Sequence, residues 1–326
     1  MQRMARAGFK RDFVRSAILP DWWEERCEED VALLADIELR VARFLAAPVA
    51  SVRNADDTLV VPPYPGAQLR RVVDLDRDRL APAIHAAIQI ASAVVRSLRE
   101  PSRPVNVPPV DALAWRAQIS PGGSAVKLES VLADCWERGI PVVSIESLPA
   151  PSFQGLACVV GGRPVIVLGH KHDEPGRIAF LLAHEVGHLV AGDCNREHPV
   201  VDEQDEIVDD SDLESRADAY ATGILAGSAG IPTVSAEKWK ELASKAAAIE
   251  RDTGVDAGAM IWAWARKSGN FSSAVLAVKA LYRATGARKL LRRHLEQHID
   301  FESAAESDRT LIRCVFGEPE HDAAAV

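Results

Sequence analysis

The chain has 326 residues, 48% of them hydrophobic and 26% charged, and carries a formal net charge of −9. That length suffices for two domains, or one with large additions, and for a core that needs no disulfide staples. A chain this acidic is a poor general nucleic-acid binder, so no tight binding of nucleic acid by the protein alone is expected.

No run of about 18 apolar residues occurs, so no membrane-spanning helix is expected. The N-terminal stretch MQRMARAGFKRDFVRSAILP is basic but lacks the apolar run of a signal peptide. It reads as part of a folded helix, and a cytoplasmic location is expected. The five cysteines (Cys27, Cys135, Cys158, Cys194 and Cys314) are scattered and form no CxxC pair. That fits free thiols in a reducing compartment.

Residues 1 to about 100 read as helical. Trp22 and Trp23 follow Pro20 and Asp21 and are expected to staple the N-terminal helices. From Asp30 to Leu45, the spacing of Val31, Leu34, Ile37, Val41 and Leu45 predicts one buried face. Leu80 to Leu98 repeats the pattern with Ile84, Ile88, Ile90 and Val94. Between the two, VVPPYPG can only be loop, because proline continues neither a helix nor a central strand. The four prolines of EPSRPVNVPPV, residues 100–110, mark a linker. The chain thus divides into an N-terminal helical domain (1–105), a middle domain (110–230) and a C-terminal helical domain (231–326).

The middle segment changes character. Ser130 to Arg138 reads as the end of a helix, and PVVSI, LACVV and PVIVLG as short strands. Gly161 and Gly162 join the last two as a hairpin. Pro175, in its tolerated first-turn position, opens the apolar helix IAFLLAHEVGHLVAG, and Gly192 closes it. An acidic stretch follows from Asp202 to Asp212, with Ser211 or Asp212 capping a helix that runs to about Leu225. Beyond Ser235 the chain reads as helical again. Ser235, Asp256 and Ser272 are the expected N-caps, and Gly254, Gly269 and Gly286 the expected stops. The tail EPEHDAAAV is expected to fray.

The chemistry concentrates in HEVGH, His184 to His188. Histidines four apart share one helix face, so both imidazoles reach one ion. Zinc suits nitrogen ligands, and two histidines leave room for a third ligand and a water. Glu185 is placed to take a proton from water as it attacks a carbonyl. The surrounding helix is otherwise Ile178, Phe180, Leu181, Leu182, Val186, Leu189 and Val190. Two imidazoles and a carboxylate in such an element are costly unless something pairs with them. The preceding hairpin would offer an edge strand to an extended substrate. A third ligand is available at Glu214, on the next helix, with Asp218 four residues on to accept the other ring N–H of a ligand histidine. Asp210 is a weaker alternative ligand.

RIAFLLAHEVGHLVAG followed by ESRADAYATGIL resembles the ImmA/IrrE family of bacterial and phage metallopeptidases. The resemblance covers about residues 115–230. Asp218 and Tyr220 stand where the family pattern has Asn and Phe, and Leu225–Gly227 depart from its Leu-Met-Pro ending. The resemblance implies an α+β, zincin-like core, with His184, His188 and Glu214 as zinc ligands and Glu185 as base. It also implies cleavage of a helix-turn-helix repressor, which would turn on stress, mobile-element or defence genes. The sensor domain and DNA-binding domain of some members are not expected here.

Three further features have plainer readings. Ala248 to Trp264 has helix-turn-helix spacing about Gly254, but Met260, Ile261, Trp262 and Trp264 suit a core better than bases. Arg283, Arg288, Lys289, Arg292 and Arg293 suit a solvated helix face better than a DNA dock. Cys194, six residues after His188, could close the site as a fourth ligand, although an inert thiol is the simpler expectation. The main reading is a zinc endopeptidase. The alternative is a non-catalytic regulator that holds structural zinc and binds a transcription factor or DNA. A metal-dependent toxin or hydrolase acting on something other than protein is a third.

Overall fold

The computed structural model describes residues 1–62, 68–69, 74–169, 172–194, 200–203, 212–282 and 286–316. Asp210, Ser211, Arg283 and the tail from 317 lie outside them. The described residues form a mostly helical α+β structure.

Five helices and one short strand come first: α1 (Gln2–Arg6), α2 (Arg11–Ala17), α3 (Val31–Leu45), α4 (Val49–Arg53), β1 (Gln68–Leu69) and α5 (Asp74–Arg96). Asp30 caps α3, its carboxylate accepting from the N–H groups of Ala32 and Leu33. That first turn lies at the surface, and Val31 is 84% exposed, contrary to the expected stripe. The buried face runs through Val41, Ala42, Phe44 and Leu45. Trp23 is buried under Arg15, whereas Trp22 is 44% exposed, so only one of the pair staples the helices. Helix α5 starts at Asp74 rather than near Leu80. Ala83, Ile84, Ala87, Ile90 and Val94 are all at 0–1% exposure and form its buried face, while Ile88 is only half-buried.

The middle of the chain contributes α6 (Ala112–Ile119), α7 (Leu128–Glu137), β2 (Val142–Ser144), β3 (Phe153–Val160), β4 (Arg163–Leu168), α8 (Pro175–Ala191), β5 (Val200–Glu203) and α9 (Asp212–Ala226). The strands form one mixed sheet in the order β1-β5-β3-β4-β2. Strands β3 and β4 are the expected hairpin, turned at Gly161 (φ 58°) and Gly162 (φ 83°). Both turn residues need the left-handed backbone that glycine adopts without strain. The hairpin is not an edge, however. Strand β5 pairs antiparallel along Phe153–Ala157, and β2 pairs parallel with β4. Both partners are short and distant in sequence, so local patterning could not place them. Helices α5 and α8 each pack on β3 and β4. Val165 to Leu168 are all fully buried, and since successive strand residues point to opposite faces, both faces of the hairpin are covered.

The chain ends in α10 (Trp239–Thr253), α11 (Ala257–Ser268), α12 (Phe271–Leu281), α13 (Ala287–His298) and α14 (Glu306–Phe316). Asp256 caps α11, and Gly254 and Gly269 stop α10 and α11 in left-handed conformations. Lys238 and Asn270, not Ser235 and Ser272, are the N-cap residues of α10 and α12. Gly286 opens α13 instead of closing a helix. No helix among the described residues is long and apolar enough to cross a membrane.

Apolar side chains from α2, α5, the sheet, α8, α9, α13 and α14 share one core. A second, smaller cluster holds α10, α11 and α12 together. Arg96 ties α5 to α14 through two bonds to Asp308, at 2.7 and 3.0 Å.

His85 lies wholly within the large core, its Nε2–H donating to the Phe44 carbonyl at 2.5 Å. Burial holds its pKa below the ordinary value. The unfolded chain therefore takes up a proton, near pH 6.5, that the folded chain refuses. Stability from this group is present above that pH and is lost as pH falls from there toward the depressed folded value. Chemical unfolding at pH 5 and pH 7 should give a smaller difference for His85→Leu than for the parent. An equal difference would remove His85 from the acid response.

Candidate metal centre

Helix α8 carries the site and is fixed at both ends by its own sequence. Pro175 occupies its first turn, and Gly192 (φ 75°) ends it. Gly176 lies against α11: a Cβ there would come within 2.3 Å of the Gly258 backbone. Arg177 adds a cation–π contact over Trp262 at 4.0 Å. Halfway along, Gly187 meets α9, where a Cβ would stand 3.1 Å from the Ala217 Cα. That close approach of α8 and α9 lets a short carboxylate on one reach imidazoles on the other. Tyr220 anchors α9 in turn, donating its hydroxyl to the Pro109 carbonyl at 2.8 Å and stacking on Trp115.

His184, His188 and Glu214 converge, each buried to 6% exposure or less. The two Nε2 atoms are 3.1 Å apart. Glu214 brings one oxygen to 3.2 Å from His184 Nε2 and the other to 3.5 Å from His188 Nε2. His184 Nδ1 is 2.8 Å from Asp218, and His188 Nδ1 is 3.1 Å from Asp193. A carboxylate accepts, so each Nδ1 carries the proton, and a neutral ring then turns a lone pair inward at Nε2. Two nitrogen lone pairs and a carboxylate facing one another repel unless a cation sits among them. This group could hold a metal ion. Burial, reinforced by neighbouring His184, lowers the pKa of His188 and favours the neutral, metal-binding ring.

Glu185 is fully buried and projects against β3. A Cβ built on Gly155 would lie 1.9 Å from its Oε1 and 2.5 Å from its Cδ. The strand backbone can pass the carboxylate only because position 155 has no side chain.

The structure thus brings together His184, His188 and Glu214, with Asp218 behind His184 as expected. Asp193 escapes a reading of the sequence. It directly follows the cap glycine, its N–H returns to the His188 carbonyl at 3.1 Å, and Arg216 holds its other oxygen at 3.3 Å. An acidic residue just past Gly192, five after the second histidine, is the available signal. Gly155 is also missed; an isolated glycine at the start of a β-branched run is its only trace.

Cys194 is half-buried and is not part of this group. Burial, with Glu185 adding, pushes its thiol up to about 12, so without a metal it stays protonated and unreactive. Cys194→Ala is therefore expected to leave metal stoichiometry unchanged. A loss of metal in that variant, read by elemental analysis, would restore Cys194 as a fourth ligand.

The two nucleic-acid features take their plainer form. Met260 and Ile261 of α11 are fully buried, and its capping Asp256 accepts from the Tyr282 hydroxyl at 2.8 Å. On α13, Arg288, Arg292 and Arg293 are exposed and ion-paired to Glu146, Glu296 and Glu129.

No protein-family model matches the chain, and no curated protein matches it. The site stands on its geometry.

Proposed function

We propose that the chain is a zinc-dependent endopeptidase of the ImmA/IrrE kind whose substrate is a helix-turn-helix repressor. The observation that carries the reading is a two-histidine, one-glutamate donor set with a buried carboxylate, Glu185, on the same helix. Ligands 2.0–2.1 Å from a tetrahedral ion stand about 3.3–3.4 Å from each other. The separations of 3.1, 3.2 and 3.5 Å bracket that value. Magnesium and calcium prefer sets of six or more oxygen ligands, which this is not.

His184, His188 and Glu214 would hold the ion. When bound, it supplies Lewis-acid polarisation of the peptide carbonyl and acidifies water. Asp218 and Asp193 keep both rings in the one tautomer that presents Nε2 inward. Glu185 accepts the proton of the attacking water and delivers it to the departing amine. Gly155 keeps that carboxylate in place.

The near-complete burial of the site also favours a second reading, in which the metal is structural and the protein acts by binding a transcription factor. Protein purified without chelator is expected to contain about one zinc per chain and to cleave a co-expressed helix-turn-helix repressor. Absence of zinc that added zinc does not correct would sink both readings. Zinc without cleavage would leave the second.

A further inference from the structure

We propose that a second cavity, walled by Leu98, Arg99, Arg103, Trp136, Arg163 and His298, binds a compact oxyanion of the phosphate or sulfate kind. It lies where β2 and β4 begin, at the far end of the hairpin from Glu185. Arg163 pairs with Val160, whereas Gly155 pairs with Leu168. Five strand residues separate the two positions, on the order of 17 Å.

The wall sets three guanidiniums and the Trp136 indole beside apolar Leu98 and Pro141 and the carboxylate of Glu100. Arg163 is 9% exposed, and its guanidinium donates to the carbonyls of Gly139 (2.6 Å), Pro101 (2.9 Å) and Arg103 (2.8 Å). None of these partners carries a charge. Among the described residues, neither Arg163 nor Arg99 has a carboxylate at ion-pair distance. Arg103 pairs with Glu100, whose own side chain is 65% exposed. Arg103 thus has Glu100 beside it and Arg99 acts electrostatically on exposed Asp300, which leaves Arg163 as the guanidinium of the three without a carboxylate among the described residues. Trp136, at 2% exposure, has an indole Nε1–H with no acceptor among the described residues. Its ring stacks on His298 at 4.5 Å, and His298 Nδ1–H is committed to the His294 carbonyl at 2.7 Å.

A buried cation without a counter-charge and a buried N–H without an acceptor are each costly. One ligand relieves both if it is negative and carries several oxygens. Burial, and then neighbouring Arg103, lower the Arg163 guanidinium from its ordinary value, as uncompensated positive charge should. Size narrows the class further. The cavity holds about 60 Å³. A water needs about 10–15 Å³ of such space, so the cavity takes a few waters or one small oxyanion but no nucleotide. Its wall joins three distant stretches, at 98–103, 136–163 and 297–298. An anion there would pin them together and stabilise the folded chain by mass action.

The test is thermal unfolding of the full chain in increasing phosphate, sulfate or acetate at constant ionic strength, with chloride as the reference. The expected result is a saturable rise in Tm for at least one oxyanion, and the order of the three identifies the preferred kind. Arg163→Lys is a poor probe because Arg163 also holds three carbonyls. Arg99→Gln and Trp136→Phe, which keeps the ring stack and removes only the N–H, should each weaken the response at least tenfold in half-saturating concentration. No saturable response to any oxyanion would overturn the proposal. So would a response that both variants retain in full, since that is general salting by an excluded anion.

Discussion

Glu185→Gln is expected to keep the fold and the metal and to lose cleavage by about 10²–10⁴-fold. Glutamine matches glutamate in size, so the substitution removes the proposed base and little else. The atoms that could hold a metal belong to His184, His188 and Glu214, which the change leaves in place. His188→Ala should instead lose metal and activity together, because a site left with two ligands is incomplete. The measurement is metal stoichiometry beside cleavage of a repressor substrate for both variants. Full cleavage by Glu185→Gln would remove Glu185 from the chemistry. Full biological activity in that same variant would move the protein to the binding class.

Gly155→Val is expected to reproduce much of that loss without touching a polar atom. The added side chain would occupy the volume of the Glu185 carboxylate, which is fully buried and has no solvent to swing into. Either the carboxylate turns away or β3 shifts, and overpacking of this kind costs about 1–3 kcal/mol. Metal content should hold, since the ligands belong to α8 and α9. If Gly155 acts through Glu185, adding Gly155→Val to Glu185→Gln should cost little further activity, as expected for residues acting as one unit. Independent, multiplying losses in the double variant would show that the strand position matters for another reason.

Local chemistry makes α8 readable from the sequence alone. Proline at one end, glycine at the other and an apolar run between leave few alternatives for such a segment. The same holds for the glycine pair of the hairpin and for Asp256. Glu214 and Asp218 are reachable because each lies one helical turn from the other and faces a motif that needs partners. What cannot be read is set by contacts between distant segments. The pairing of β5 along β3 and of β2 along β4 joins strands of three to four residues, too short to have a period. Val31 fits the stripe of α3 by spacing, but capping by Asp30 puts that turn at the surface. Asp193 reaches His188 only because the chain bends sharply at Gly192, and the importance of Gly155 lies wholly in what stands opposite it.

The enclosure of the metal centre has a kinetic consequence. Glu185 and His188 are at 0% exposure, His184 at 2% and Glu214 at 6%, while Asp218, behind His184, keeps 36% of its side chain exposed. A peptide cannot touch atoms it cannot reach, so turnover in the peptidase reading must wait for an opening. A chelator faces the same barrier. Its rate of stripping the ion should rise with chelator concentration and then level off at the opening rate. If that plateau tracks the maximal turnover number across variants and temperatures, one gating motion limits two otherwise unrelated processes.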